Sequence, residues 1–113
     1  MADYRELTVW QKSMNLVVCI YKYTSDFPHD GQYGLIAQMR RAAVSIPSNI
    51  AERSRRRGKE LSHFLTISLG SSSELETQLE VSRRLKYGNE SLRPECEYVL
   101  IEVLKMLNRM IKY

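Results

Sequence analysis

The apolar positions of this chain recur three and four residues apart throughout, the spacing of helices rather than strands. Leu7, Trp10, Met14, Val17, Tyr21 and Thr24 fall on one face and predict a first helix. Val9, Leu16 and Ile20 add a second apolar stripe, wider than a helix packed on one side needs, and subunit contacts would account for the surplus. Phe27-Pro28 followed by His29-Asp30-Gly31 breaks the pattern, because proline disfavours helix in the residue before it and glycine supplies turn geometry.

A second helix then presents Leu35, Ile36, Met39, Ala42, Ala43, Ile46 and Ile50 to a core. Gln38, Arg41, Ser45, Asn49, Glu52 and Arg56 make a polar stripe at the same spacing. That stripe runs about 27 Å at 1.5 Å per residue, long enough to follow several nucleotides or to seal a polar subunit interface. Pro47 lies inside it and should bend the helix, with Ser45 or Ser48 meeting the carbonyls that lose a donor.

Arg55 to Gly58 interrupts the periodicity, which resumes with Leu61, Phe64, Leu65, Leu69, Ser72, Leu75, Leu79 and Leu85 as a long third helix. Gly70-Ser71-Ser72-Ser73 is a poor helix former, yet the leucines keep register across it. The run therefore reads as a place where another backbone comes close, with Gly70 and Ser72 giving the room. Tyr87-Gly88-Asn89 ends this helix, and Ser91 with Glu95 opens a fourth that carries Cys96, Val99, Leu100, Val103, Leu104, Leu107, Met110 and Ile111. The expected fold is all-α, an up-down antiparallel four-helix bundle forming one domain over residues 1–113.

Composition narrows the class. At 113 residues and 43% hydrophobic content the chain has one ordinary core and no room for a second. Its longest apolar run, Leu16 to Tyr21, is six residues, far short of the roughly 20 that span a bilayer. The opening MADYRELT lacks the basic-then-apolar pattern of a secretory signal, so a cytoplasmic location is expected. Cys19 and Cys96 sit on apolar-periodic segments without CxxC spacing and read as buried free thiols.

Charge is concentrated rather than spread. Residues 40–59 hold Arg40, Arg41, Arg53, Arg55, Arg56, Arg57 and Lys59 against one acid, Glu52, a net +6. The remaining ten basic and twelve acidic residues leave the rest of the chain at −2. Localised positive charge of this kind suits a polyanion, RNA or another nucleic acid, although a solvated or solubilising loop has the same composition. Catalytic constellations are thin. Glu60-Leu61-Ser62-His63 has the Glu-x-x-His spacing of di-iron bundles, but such a site needs two copies and two further glutamates. With no phosphate loop or nucleophile elbow either, the chain reads as non-enzymatic, with no metal and no cofactor.

The sequence resembles the bacterial four-helix-bundle proteins encoded within intervening sequences of 23S rRNA genes, sometimes labelled ribosomal-protein-like. The resemblance runs almost end to end. Its carriers are Leu7 with Val9-Trp10-Gln11-Lys12, Ile20-Tyr21, Thr24 with Phe27-Pro28, and Tyr33-Gly34-Leu35 with Gln38. They continue with Arg40-Arg41-Ala42-Ala43, Ser45-Ile46-Pro47, Asn49-Ile50-Ala51-Glu52, Phe64-Leu65, and Gly70-Ser71 before Glu74-Leu75. The resemblance implies a bundle assembled as a ring-shaped homopentamer, and a kinship with retroelement accessory proteins that work with a reverse transcriptase. Neither relative is an enzyme. The family usually carries glycine after Asn-Ile-Ala-Glu, where this chain has Arg53 and three more arginines, so the segment is more basic than its pattern. Two readings follow: an RNA-binding bundle using the basic segment, or an interaction module in which Arg41, Asn49, Glu52 and Arg56, on the polar stripe with Gln38 and Ser45, meet another subunit or a polymerase-like partner.

Overall fold

The computed structural model describes residues 3–29, 34–55 and 60–112, with side chains in the last stretch from 62 to 111. A single 3-10 turn, Tyr4–Glu6, precedes four helices: α1 (Thr8–Thr24), α2 (Leu35–Arg55), α3 (Glu60–Leu85) and α4 (Arg93–Lys112). No strand occurs among the described residues. Each helix packs on its sequence neighbours and α4 closes back on α1, while across the bundle α1 reaches α3 through the Tyr23–Ser82 hydrogen bond. Opposed residues give the directions. Lys12 meets Glu102 across α1 and α4, and Ser45 meets Ser71 across α2 and α3. Arg40 near the start of α2 meets Thr24 at the end of α1. The result is the antiparallel up-down bundle that the periodicity predicts.

The core stripe of α2 is as expected: Met39, Ala42, Ala43, Ile46 and Ile50 are buried, with Leu35 and Ile36 packed against them. In α1 the two stripes largely exchange roles, although Thr24 of the first is buried as expected. Val9, Ser13, Leu16, Ile20 and Tyr23 are buried, whereas Met14 and Tyr21 are exposed and Leu7, Trp10 and Val17 lie half-buried. The sequence offered two apolar stripes, and the one built from β-branched and leucine side chains, interrupted by Ser13, is the interior one. Each fully buried Leu or Ile contributes roughly 1.5–3 kcal/mol, so this choice orients the whole helix.

α3 runs unbroken through Gly70–Ser73. The close approach comes from the serines and not from the glycine. Ser68 Oγ donates to the carbonyl of Ile46 (3.0 Å), Ser71 Oγ to Ser45 Oγ (2.9 Å), and Ser72 is buried with its hydroxyl returned to Ser68 O (2.8 Å). Gly70 faces open space, with nothing within 4 Å of where a Cβ would stand. Leu85, expected to be interior, is exposed in the last turn of α3. Pro47 is buried within a continuous α2. Of the two serines expected to serve the freed carbonyls, Ser48 donates to Val44 O (2.8 Å), while Ser45 accepts from Asn49 and Ser71.

The end of α3 is closed by Tyr87 N–H bonding to Ser82 C=O (3.0 Å) and Lys86 N–H to Arg83 C=O (3.1 Å). Lys86 takes the left-handed conformation (φ 59) that glycine usually occupies in such a cap. Gly88 also has positive φ (78), and a Cβ there would meet the rings of Tyr23 at 2.6 Å and Phe27 at 2.7 Å. Those rings and Tyr87 form an edge-to-face chain, and Tyr23 Oη bonds Ser82 Oγ (2.7 Å) and Tyr87 O (3.1 Å). Asn89 then accepts from Ser91 N–H and Oγ, so α4 begins at Arg93, just beyond the expected Ser91.

Gly88→Ala is expected to lose about 2 kcal/mol or more by chemical denaturation, since left-handed strain and overpacking add. Lys86→Gly is expected to be neutral or to gain up to about 1 kcal/mol, since it removes only the strain.

Candidate nucleic-acid interface

The helix axis separates the basic residues that the sequence brings together. Arg40 and Arg55 are fifteen positions apart on α2, about 22 Å at 1.5 Å per residue. Arg40 and Arg41 therefore lie at the end of the bundle holding the close of α1, and Arg53 and Arg55 at the end holding its start. Arg56, Arg57 and Lys59 fall outside the described residues, in the connection between Arg55 and Glu60.

The individual arginines differ in what holds them. Arg40 is engaged within the fold: its Nε donates to Thr24 Oγ1 (3.0 Å), its Nη2 to Tyr21 O (3.3 Å), and its guanidinium lies 4.5 Å from the Tyr21 ring centroid. It caps the last turn of α1, where the helix dipole favours a cation. Arg41 is exposed and, among the described residues, makes no ion pair. Arg53 is half-buried, and its Nε is buried with no hydrogen-bond partner among the described residues. Arg55 is exposed, its guanidinium 5.3 Å from the centroid of Tyr4 and without a carboxylate partner among the described residues.

Most arginines elsewhere are neutralised, Arg5 by Asp3 at 3.0 Å, whereas Arg109 has no carboxylate partner among the described residues. Glu80 is hydrogen-bonded by Arg83 and by Arg84, which hold its carboxyl down at about 2. Arg93, only 8% exposed, pairs with Glu90 at 2.5 Å and Glu97 at 3.4 Å, and the bond from Glu90 raises its pKa. The free positive charge of the described arginines in residues 40–55 is thus carried by Arg41, Arg53 and Arg55.

The polar stripe of α2 divides as well. Asn49 Nδ2 donates to Ser45 O (2.8 Å) and Oγ (3.1 Å), and Ser45 Oγ accepts from Ser71, so this pair stitches α2 to α3 within one chain. Gln38 and Glu52 are exposed. With Ser71 and Glu74, Gln38, Arg41 and Ser45 line a polar cleft of about 350 Å³.

Two further clefts follow the line between α1 and α2. One, about 910 Å³, is bordered by Tyr21, His29, Ile36, Arg40 and Arg41. The other, about 260 Å³, lies between Tyr4, Trp10 and Met14 on one side and Val44, Pro47 and Ala51 on the other. Asp3 places Tyr4 by accepting the Arg5 N–H at 2.9 Å, and Gln11 fastens the turn through Arg5 O (2.9 Å). Tyr4 then stands edge-to-face on Trp10, 5.4 Å between centroids. Sequence reasoning missed Tyr4 because its basic neighbour, Arg55, comes from the far end of the second helix. The one available signal was Tyr4-Arg5 ahead of Trp10.

Cys19 and Cys96 are free and face each other across α1 and α4. Burial, and then the hydrogen bond with Cys19, pushes the Cys96 thiol well above its ordinary value. His63 is exposed and packs edge-on against Phe64. No group of three or more metal-ligating side chains occurs among the described residues. Among them, too, no helix is long and apolar enough to cross a membrane.

Taken together these features define a small up-down helical bundle whose second helix carries unpaired arginines beside aromatic clefts. The chain belongs to the 23S rRNA-intervening sequence protein family, whose model matches residues 5–109. Its fold is similar to that of a crystallised protein of unknown function from the S23 ribosomal protein family of Bacteroides thetaiotaomicron. The two are 25% identical over 94% of this chain and 100% of that one, with a TM-score of 0.82. No curated protein matches.

The two kinds of arginine are separable by mutation. Arg40→Gln is expected to cost about 1–3 kcal/mol in thermal or chemical unfolding, having lost charged hydrogen bonds and a ring contact. Arg41→Gln should stay within about 0.5 kcal/mol of the parent.

Proposed function

We propose that this protein binds RNA, non-enzymatically, through α2 and the connection that follows it. The observation that carries the reading is the set of arginines left without carboxylates, Arg41, Arg53 and Arg55, continued in sequence by Arg56, Arg57 and Lys59. Unpaired guanidiniums in a region of net +6 attract phosphates, fork to them bidentately and release counterions on binding. The family's name, which ties its members to intervening sequences of 23S rRNA, favours RNA over other polyanions. Phosphate contacts of this kind position a strand without reading its bases, so sequence preference is modest. A cytoplasmic location agrees with such a ligand.

A second reading concerns assembly and is compatible with the first. Val18, Tyr98 and Ile101 are 51%, 66% and 47% exposed on the α1 and α4 side, beside a cleft of about 620 Å³. Large apolar side chains grouped this way suit a protein contact. We assign that contact to further copies of the chain in a closed ring, the homopentamer of the family resemblance, rather than to a reverse-transcriptase-like partner. Light scattering at micromolar concentration is expected to give one closed oligomer; a monodisperse monomer would remove this reading.

For the RNA reading, the measurement is affinity for an RNA oligonucleotide across a salt series. Binding should fall steeply as salt rises. Replacing Arg55, Arg56 and Arg57 with glutamine should reduce the slope of log K against log salt by about 2, three single-strand phosphate contacts at about 0.7 each. The fold and the oligomer should survive. Absence of salt-dependent binding near physiological ionic strength would show that the arginines serve another purpose, and loss of the oligomer in the triple variant would make them interface residues.

A further inference from the structure

We propose that the cleft between α1 and α2 at the Tyr4 end receives an unpaired nucleobase, making the protein selective for single-stranded over duplex nucleic acid. This rests on the RNA-binding reading and assigns it a second component, a stacking site beside the phosphate-binding arginines. The cleft has the chemistry of a base slot. Its walls are the Tyr4 and Trp10 rings and the apolar surfaces of Met14, Val17, Val44 and Pro47, and its volume is about 260 Å³. A nucleobase is a flat π-system with apolar faces, and aromatic side chains hold such faces without demanding a sequence. In a duplex those faces are stacked and unavailable, so an apolar slot of this kind discriminates by strandedness.

Charge at the mouth fits the same occupant. Arg5, itself paired with Asp3 at 3.0 Å, and Arg55 lie 5.1 and 5.3 Å from the Tyr4 ring centroid. A base in the slot brings its phosphates to the rim where these cations stand. A hydrophobic peptide would use the slot but leave Arg55 unmatched, whereas a nucleotide satisfies both the rings and that cation. The pattern recurs along the same face. Arg40 lies over Tyr21 at 4.5 Å beside the larger cleft, Arg41 lines that cleft, and Val44 borders both clefts. The α1–α2 face thus has an aromatic ring with an arginine over it at each end, arranged as a track for several nucleotides.

Trp10 is the only tryptophan in the chain, so its fluorescence reports on the slot directly. The test titrates full-length protein with a single-stranded oligouridylate and with an RNA duplex of equal phosphate number at one salt concentration. Single strands should quench Trp10 and the duplex should not. Tyr4→Leu should weaken single-strand binding about tenfold, the loss of one stacked base, and leave duplex binding within about twofold. Ala51→Leu fills the slot from α2 without touching the aromatic pair and should give the same selective loss, which guards against a Tyr4 variant that merely unfolds the turn. Equal affinity for both nucleic acids with a silent Trp10, or variants that leave single-strand binding unchanged, would overturn the slot while leaving the salt-dependent reading standing. Absence of binding to either nucleic acid would overturn both.

Discussion

The contact on which the bundle depends is the close seam between α2 and α3. Ala42 and Ser45 on one helix lie beside Ser71 on the other, and the two backbones come near enough for Ser68 to bond a main-chain carbonyl of α2. Once α2 is drawn against α3, its larger side chains are left for the other side. Val44, Pro47, Arg40 and Arg41 then border α1 across open clefts instead of a filled interface. Tight packing on one side of α2 and a grooved surface on the other are two results of one distribution of residue sizes.

The opposite end of the bundle is governed by aromatic packing. Tyr23, Phe27 and Tyr87 enclose Gly88, and the Tyr23 hydroxyl is fully used by Ser82 and the Tyr87 carbonyl. Arg93 is held there by two glutamates. Arg40 and Arg93 at this end are held within the fold, whereas Arg41 is not. At the Tyr4 end Arg53 and Arg55 meet no acid among the described residues, so unpaired arginines stand at both ends of α2.

How much of this the sequence carried depended on whether each helix offered one stripe or two. In α2 a single apolar stripe opposes a polar one, and its interior residues are legible directly. In α1 both stripes are apolar, Ser13 interrupts the true one, and only the positions of the neighbouring helices decide between them. Gly70 misled for a related reason: small residues signal a close approach, but which of four adjacent small residues points inward depends on a helix phase that the leucines fix only within a turn. The basic window was plain in the sequence, yet nearness along a helix is distance along its axis, so one compositional feature became two places. Family membership was legible because its motifs are spread over nearly the whole chain. The Tyr4 cleft was not, because Tyr4 and Arg55 are brought together by the path of three elements.

The facing thiols on α1 and α4 give the protein an internal clock for its own breathing. Cys19 borders an open cleft and is reachable by a small electrophile, while Cys96 is fully enclosed and held in its unreactive protonated form. Modification of the second sulfur therefore waits for the packing around α4 to open, so its rate counts local and global openings that expose that helix. An event invisible to spectroscopy of the folded state is recorded as a covalent mark on one buried atom.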